Sequence, residues 1–467
     1  MVPGKSLPHV VIIGGGFGGL RAARRLAHVP AQVTLVDRNN YHLFQPLLYQ
    51  IAMAGLSPAD IAYPLRSVVS QQENAQVLLG EATDIDVDER RIELNDGAQV
   101  SYDYLVLAAG ARTNYFGNED RWSPHSLGLK SVDDALEIRR RVLMAFEAAE
   151  RATDPNSLER LLTFIVIGGG PTGVEIAGAL AELSRRVMAE DFRHIDPTLA
   201  RVVLMEMKDR LLPGGFVASL AETARRQLTD LGVEVRLGSA VQDIDELGVR
   251  LDGELIESAT VLWTAGVEPR PIARALGTEL DGSGRVVVGQ DCSVPDHPEV
   301  FALGDIAAFT PEGAGSALPG LAPVAMQQAV LVADNIARSV AGRERRPFHY
   351  RDKGIMATVG RSRAIAQTGS GKLKLSGLIA WLAWIFVHIW YLVGFRNRVA
   401  VFLNWFWAYL TYRRGARLIT GDYSWRRLPS VAARVSHPPE PGDATAPEAG
   451  ESGAQSDSDD DANTRAE

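Results

Sequence analysis

The stretch HVVIIGGGFGGLRAA, His9 to Ala23, decides the fold. A β-branched apolar run leads into Gly14, Gly16 and Gly19 at G-x-G-x-x-G spacing, and a helix of small residues follows. A βαβ nucleotide site requires that order. The glycines remove side chains where backbone approaches a pyrophosphate, and the helix N-terminus offers unpaired N–H groups and a partial positive charge. The order returns 154 residues later in LTFIVIGGGPTGVEIAGAL, Leu162 to Leu180, with Gly168, Gly170 and Gly173. One such turn is weak evidence; two in one chain point to a pair of dinucleotides, a flavin facing a nicotinamide.

The strand after each turn strengthens the reading. AQVTLVDRNN ends on Asp37, 21 residues beyond Gly16, where a carboxylate takes both hydroxyls of an adenosine ribose. ARVVLMEMKDRLLP ends on Glu206, whose charge repels a 2′-phosphate and so favours NADH, although Lys208 and Arg210 nearby leave NADPH open.

At 467 residues and 46% hydrophobic content, the chain suffices for two or three domains with a full core. Its net charge of −9 is uneven: Pro438 to Glu467 carries nine acids and one arginine, leaving the rest near −1. That end is too polar to bury and reads as a disordered acidic tail, not a nucleic-acid arm. The single cysteine, Cys292, excludes an intramolecular disulfide, a Cys-x-x-Cys redox pair and a four-cysteine metal site; no metal is expected. MVPGKSLPHV holds no apolar h-region before the first strand, so the folded domains are expected in the cytoplasm.

Between the glycine turns, NYHLFQPLLYQIAMAGLSPADIAYPLRSVV is apolar and aromatic, and Pro46, Pro58 and Pro64 interrupt helix; it suits a loop over a bound ring system. YDYLVLAAGARTN ends a strand on Ala109 and Gly110, small residues that let the chain pass close to a cofactor, and ATVLWTAGVEPRP repeats that ending at Thr264, Ala265 and Gly266. Two such strand ends suggest one domain interrupted by another. In VFALGDIAAF, Gly304 and Asp305 follow an apolar strand, where the acid can hydrogen-bond a flavin's ribityl chain. The expected fold is α/β, with two Rossmann-like dinucleotide-binding domains: a flavin domain over residues 1–153 and 274–372, interrupted by a nicotinamide domain over 154–273. A membrane-anchoring helical segment over 373–427 and a disordered acidic tail over 428–467 follow.

The anchor expectation rests on composition. GLIAWLAWIFVHIWYLVGF, Gly377 to Phe395, has no formal charge, and VAVFLNWFWAYLTY continues it more amphipathically. Six of the eight tryptophans lie between Trp381 and Trp425, and seven arginines stand against Asp422 alone from Arg396 to Arg427, which favours a lipid interface with anionic headgroups. The first stretch is long enough to span a bilayer, but its aromatics are spread along it instead of gathered at its ends. A helix pair lying in the membrane surface is the favoured arrangement; a single span and a buried dimer interface stay open.

Taken together, the two glycine turns, LVLAAGA, TAGVEP, the ALGD aspartate and the aromatic, arginine-flanked C-terminus resemble the type II NADH dehydrogenases, single-subunit NADH:quinone oxidoreductases. The membrane segment and the YHLFQPLLYQ loop narrow the likeness to that family, over about Pro8 to Tyr423. The resemblance implies FAD on Gly14, Gly16, Gly19, Asp37, Ala109, Gly110, Gly304 and Asp305, and NADH on Gly168, Gly170, Gly173, Glu206 and Gly266. It implies catalytic or near-flavin roles for Glu175, Gln50, Gln327 and Lys353, and a quinone pocket lined by Gln45, Pro46, Gln50 and Gln327. Glu175 is expected in the first turn of the second glycine helix. The chain departs from the family where Pro323 replaces an amide that usually precedes Gln327 by four residues. Further implications are a menaquinone or ubiquinone substrate, an anionic bilayer, a homodimer, and a place on the cytoplasmic face of the cell membrane. A sulfide:quinone oxidoreductase or disulfide reductase would need paired cysteines. A reductase of a small protein electron carrier, or a membrane-bound NADH sensor, is the competing reading.

Overall fold

The computed structural model describes residues 7–369, 371–411 and 416–421; the expected acidic tail lies outside them. Strand β1 (His9–Ile13) is buried along almost its whole length, as a Val/Ile run suits a strand covered on both faces. It feeds α1 (Phe17–Arg25), and the chain then lays down β2 (Gln32–Asp37), α2 (Leu48–Ala52), β3 (Ala75–Leu79) and β4 (Tyr104–Leu107). β1 pairs in parallel with β2 (Val10↔Val33) and β4 (Val10↔Tyr104), so the first glycine turn leaves the sheet at its centre.

β5 (Ala111–Thr113) carries the chain outward, and β6 (Ser126–Gly128) already belongs to a second sheet. The second unit therefore begins near Asn114, not after residue 153 as expected, because α3 (Val132–Arg151), closed at its N-terminus by a Ser131/Asp134 capping box, packs on that sheet too. Strand β7 (Thr163–Ile167), α4 (Pro171–Glu182), β8 (Arg201–Glu206), α5 (Ala218–Asp230), β9 (Val233–Leu237) and β10 (Thr260–Trp263) complete it. The sheet is parallel, in the order β6-β10-β7-β8-β9, with β7 at its centre as β1 is in the first. β11 (Val267–Pro269) returns antiparallel to β5, and Arg112 meets Glu268 across the pair at 2.7 Å.

β12 (Ser293–Val294) and β13 (His297–Ala302) complete the first sheet in the order β12-β13-β4-β1-β2-β3. Helix α6 (Ala322–Val340) then packs along α1, with Arg25 bridging to Asp334 at 2.7 Å. β14 (Ile355–Gly360), β15 (Arg363–Gln367) and β16 (Lys374–Ser376) form a separate antiparallel sheet. This sheet lies against α4 and α7 (Gly377–Tyr391), and a Cβ on Gly178 of α4 would collide with the Val359 carbonyl. The first unit thus ends before β14, not at residue 372, because these strands pack on the second unit and the C-terminal helices.

The final described helix is α8 (Phe395–Thr411). α7 has 15 residues, roughly 22 Å of helix against a hydrocarbon core of about 30 Å. Among the described residues no helix is long and apolar enough to cross a membrane, which corrects the single span held open above. Each helix is tied to the body: Ala380 and Trp384 of α7 and Asn397 and Val401 of α8 are buried, and Asn397 donates to the Ala59 carbonyl at 3.0 Å.

Candidate active site

The two glycine turns are built alike. Gly14 (φ +103°) and Gly168 (φ +106°) occupy left-handed backbone that favours glycine. Gly19 and Gly173 pack so tightly that a Cβ on either would collide with the carbonyl of Gly14 or Gly168. Gly16 and Gly170 differ: a Cβ on either would meet no protein atom within 4 Å. The fold needs glycine at the first and third positions, while only a ligand lying against the backbone needs it at the second. The acids match as well. Asp37 accepts from the N–H groups of Gly15 (2.5 Å) and Asn39 (2.6 Å), and Glu206 from those of Gly169 (2.7 Å) and Lys208 (2.9 Å). Each carboxylate is thus fixed at its strand end by backbone, with lone pairs left for ribose hydroxyls. Burial pushes the Asp37 carboxyl up from its ordinary range despite those two hydrogen bonds. His42 adds a support not anticipated from sequence: buried, it donates from Nδ1 to the Gly15 carbonyl at 2.9 Å, and burial lowers its pKa.

A cavity of about 1410 Å³ runs from the first glycine turn and Asp37 to the N-terminus of α4; Gly168, Gly170, Gly173 and Glu206 do not line it. Gly14 to Gly18, Asp37, Ala108 to Ala111, Gly304 and Asp305 line one side; Pro171, Thr172 and Glu175 of α4 enter from the second unit; Val387, His388 and Tyr391 of α7 close the wall beside Lys353. The chamber is long enough for an extended dinucleotide lying along the first turn, and it reaches the N-terminus of α4.

Glu175 is the fifth residue of α4, so it lies in the second turn of the helix and not in the first. Its carboxyl takes a single 3.5 Å contact from the Thr358 N–H, and burial pushes its pKa up to about 8. Part of its surface remains accessible, but to the cavity instead of bulk water. Lys353 lines the same cavity and donates to the Tyr391 hydroxyl at 3.1 Å. Lys130 and Arg270, which the sequence reading missed, also line it; burial lowers both, although Asp305 pulls Lys130 back upward. No motif marks either one.

Of the expected quinone residues, Gln45 and Pro46 line the large cavity. Gln50 does not: it borders a smaller cavity of about 130 Å³ beyond Glu175, accepts from Trp405 Nε1 at 2.7 Å and donates to the Tyr49 hydroxyl at 2.9 Å. Gln327 is held by backbone, donating to the Pro323 and Arg351 carbonyls and accepting from the Arg351 N–H, each at 3.1 Å. Pro323 and Met326 face the cavity in its place. Its buried neighbour Gln328 instead fixes the turn before Asp305, accepting from the Gly304 N–H at 2.8 Å. Gly266 stands apart, its open side covered by the Phe116 ring. Cys292 is buried in the first domain's core, and no group of metal-ligating residues occurs among the described residues.

Two parallel-sheet nucleotide units facing one chamber define a flavin- and nicotinamide-dependent oxidoreductase. The family model for pyridine nucleotide-disulphide oxidoreductases matches residues 8–329, and that for the NDH2 C-terminal domain matches 353–414. A type II NADH:quinone oxidoreductase of Mycobacterium tuberculosis is 45% identical over 433 residues, covering 90% of this chain and 91% of its own. A mitochondrial internal alternative NAD(P)H-ubiquinone oxidoreductase of Arabidopsis thaliana is 27% identical, covering 88% and 86%. The NDH2 of Plasmodium falciparum, solved with NADH, superposes with a TM-score of 0.78 at 19% identity, covering 88% of this chain and all of that one. The chain belongs to the type II NADH:quinone oxidoreductases.

Proposed function

We propose that this chain is a non-proton-pumping NADH:quinone oxidoreductase of a respiratory chain, passing a hydride from NADH to FAD and two electrons onward to a membrane quinone. One observation carries the reading: the first glycine turn, the N-terminus of the second glycine helix and the inner face of α7 all open on a single chamber. The flavin, when bound, supplies the redox chemistry. The chain would supply position: Gly16 and Gly170 leave room for a pyrophosphate against backbone, Asp37 and Glu206 would hold the riboses, and Gly304 and Asp305 would hold the flavin's ribityl chain. Glu175, with its raised pKa, would hold a proton near neutral pH at the wall of the chamber. Gln45 and Pro46 would contact the quinone, whereas Gln50 and Gln327 line no part of the chamber and would act only through the residues they hold.

The outer faces of α7 and α8 support a monotopic seat on a bilayer; its anionic character follows from the arginine-rich flanks of the sequence, and the cytoplasmic side is inferred from the family. Leu378, Ile379, Leu382, Phe386 and Trp390 of α7, with Phe402, Leu403, Phe406, Trp407 and Leu410 of α8, are all at least half exposed. This band argues against a reductase of a soluble carrier, which would have no use for it. A homodimer through the same region is the assembly inferred from the family.

Anaerobic stopped-flow reduction by NADH, followed by a menaquinone or ubiquinone analogue, tests the reading. Rapid bleaching and rapid recovery of the flavin are expected. Bleaching without recovery would turn the search to a protein acceptor or a sensor.

A further inference from the structure

His388 differs from the other polar groups at the helical wall of the chamber. Its Nδ1 lies 2.6 Å from the Trp384 carbonyl oxygen. A carbonyl only accepts, so Nδ1 carries the hydrogen and Nε2 bears a lone pair. The ring is clamped: it stacks on Trp384 with centroids 4.1 Å apart and meets Phe44 edge-on at 6.1 Å. The residue is only 8% exposed, it lines the chamber, and among the described residues Nε2 has no protein partner. Burial holds the imidazole neutral, its pKa pushed down to about 4.

Its surroundings point to the quinone end of the chamber. Phe44 runs directly into Gln45 and Pro46, and His388 and Tyr391 stand three residues apart on the inner face of α7. Neither position where the family pattern places an amide supplies one to the chamber: position 323 is proline and the Gln327 amide is bound to backbone.

We propose that Nε2 of His388 accepts a hydrogen bond from a hydroxyl of the quinol product, making His388 a specificity-determining contact for the reduced ring. The proposal rests on the reading of this chamber as the quinone site. A quinone oxygen carries only lone pairs and faces Nε2 without attraction. In the overall reaction NADH, one solvent proton and the quinone give NAD⁺ and the quinol, so each quinone C=O becomes C–O–H. The oxygen beside His388 thereby gains the hydrogen that Nε2 accepts. An interaction that strengthens as the O–H forms favours the transition state and the quinol over the quinone, and the part already formed in the transition state accelerates the step.

The test uses the full-length flavin-loaded protein with menadione and menadiol. His388→Leu removes the acceptor at similar bulk, and His388→Gln offers an acceptor oxygen again. Leucine is expected to raise the menadiol dissociation constant, read from the flavin absorbance and from product inhibition, by about tenfold, the scale of one hydrogen bond, while the menadione KM moves less than about twofold. Glutamine should recover part of the loss. Equal weakening of menadione and menadiol, or unchanged menadiol affinity, overturns the proposal. Should the leucine variant fail to fold, the wild-type protein decides alone: menadiol must bind about tenfold tighter than its dimethyl ether, which has no hydroxyl, and equal affinity refutes the contact. If menadione does not reoxidise the reduced wild-type protein at all, the quinone reading falls and takes this proposal with it; normal turnover with indifferent menadiol binding sinks only His388.

Discussion

Separate alanine substitutions at Gly16 and Gly19 distinguish a glycine required by a ligand from one required by the fold. At Gly19 the new Cβ would lie 3.0 Å from the Gly14 carbonyl carbon and 3.2 Å from Ile12 Cγ2, and closer still to the Gly14 oxygen. Those neighbours are mostly backbone at the centre of a parallel sheet and cannot swing aside. Overpacking there should cost about 3 kcal/mol, lowering the apoprotein's melting temperature by roughly 3 °C if the chain unfolds as one unit and by roughly 6 °C if the first unit unfolds by itself. At Gly16 nothing lies within 4 Å, and φ is an ordinary −70°. The entropic gain of alanine and the weaker N-cap offset each other, so apoprotein stability should stay within about 1 kcal/mol of wild type. FAD must nonetheless retreat from the turn. Loss of two charge-assisted backbone hydrogen bonds corresponds to roughly a hundredfold weaker affinity. Differential scanning fluorimetry of apoprotein and titration with FAD measure the two effects. Equal destabilisation of both apoproteins, or a Gly16→Ala variant that retains FAD normally, would refute the reasoning. The same pair at Gly170 and Gly173 should repeat the contrast for NADH with flavin content unchanged at Gly170→Ala, since the Gly173 Cβ would stand 2.7 Å from Thr264 Oγ1.

Glu175 predicts a pH dependence of stability. The folded apoprotein holds its proton up to about pH 8, against 4.5 for an ordinary glutamate, so between those values the folded state binds more protons than the unfolded state. Stability should therefore fall as pH rises through that window, and Glu175→Gln should flatten melting temperature against pH; parallel curves for the two proteins would exclude the buried carboxyl as the cause. Glu206→Gln keeps an acceptor for the Gly169 N–H but loses the charge, so the NADH KM should rise about tenfold and the preference over NADPH should narrow. Identical kinetic constants for both nucleotides would remove Glu206 from the site. Changing Ile379, Phe386, Phe402 and Trp407 together to serine should abolish flotation with phosphatidylglycerol vesicles while flavin content stays normal, because all four are more than half exposed. Undiminished flotation would place the lipid contact elsewhere.

Much of the site was legible because its residues answer to backbone geometry. A left-handed turn, a tight helix-to-strand approach and an acid at a strand end each restrict residue type, so Gly14, Gly19 and Asp37 declare themselves. The unit boundary did not, since β6 is a three-residue Ser-Leu-Gly strand with no period to read. Gln327 illustrates a second limit. Helical spacing sets it beside Pro323 and Met326, and only the distant loop at Arg351 decides that its amide turns to backbone. Gln50 is claimed by Trp405, 355 residues away, a pairing that no local pattern encodes. His388 was hidden for the opposite reason: inside a run without formal charge nothing separates it from its aromatic neighbours, whereas the helix turns it inward onto Trp384 and the chamber.

Helix α7 has one face of exposed leucine, isoleucine, phenylalanine and tryptophan, and another that completes the chamber with Val387, His388 and Tyr391. Whatever solvates the outer face therefore presses on the same rigid rod that shapes the inner one. Detergent is then a reagent in any assay of this protein, not merely a vehicle. Rate constants taken in micelles describe a chamber seated by that micelle, and comparisons between laboratories should hold the amphiphile fixed as strictly as temperature or ionic strength.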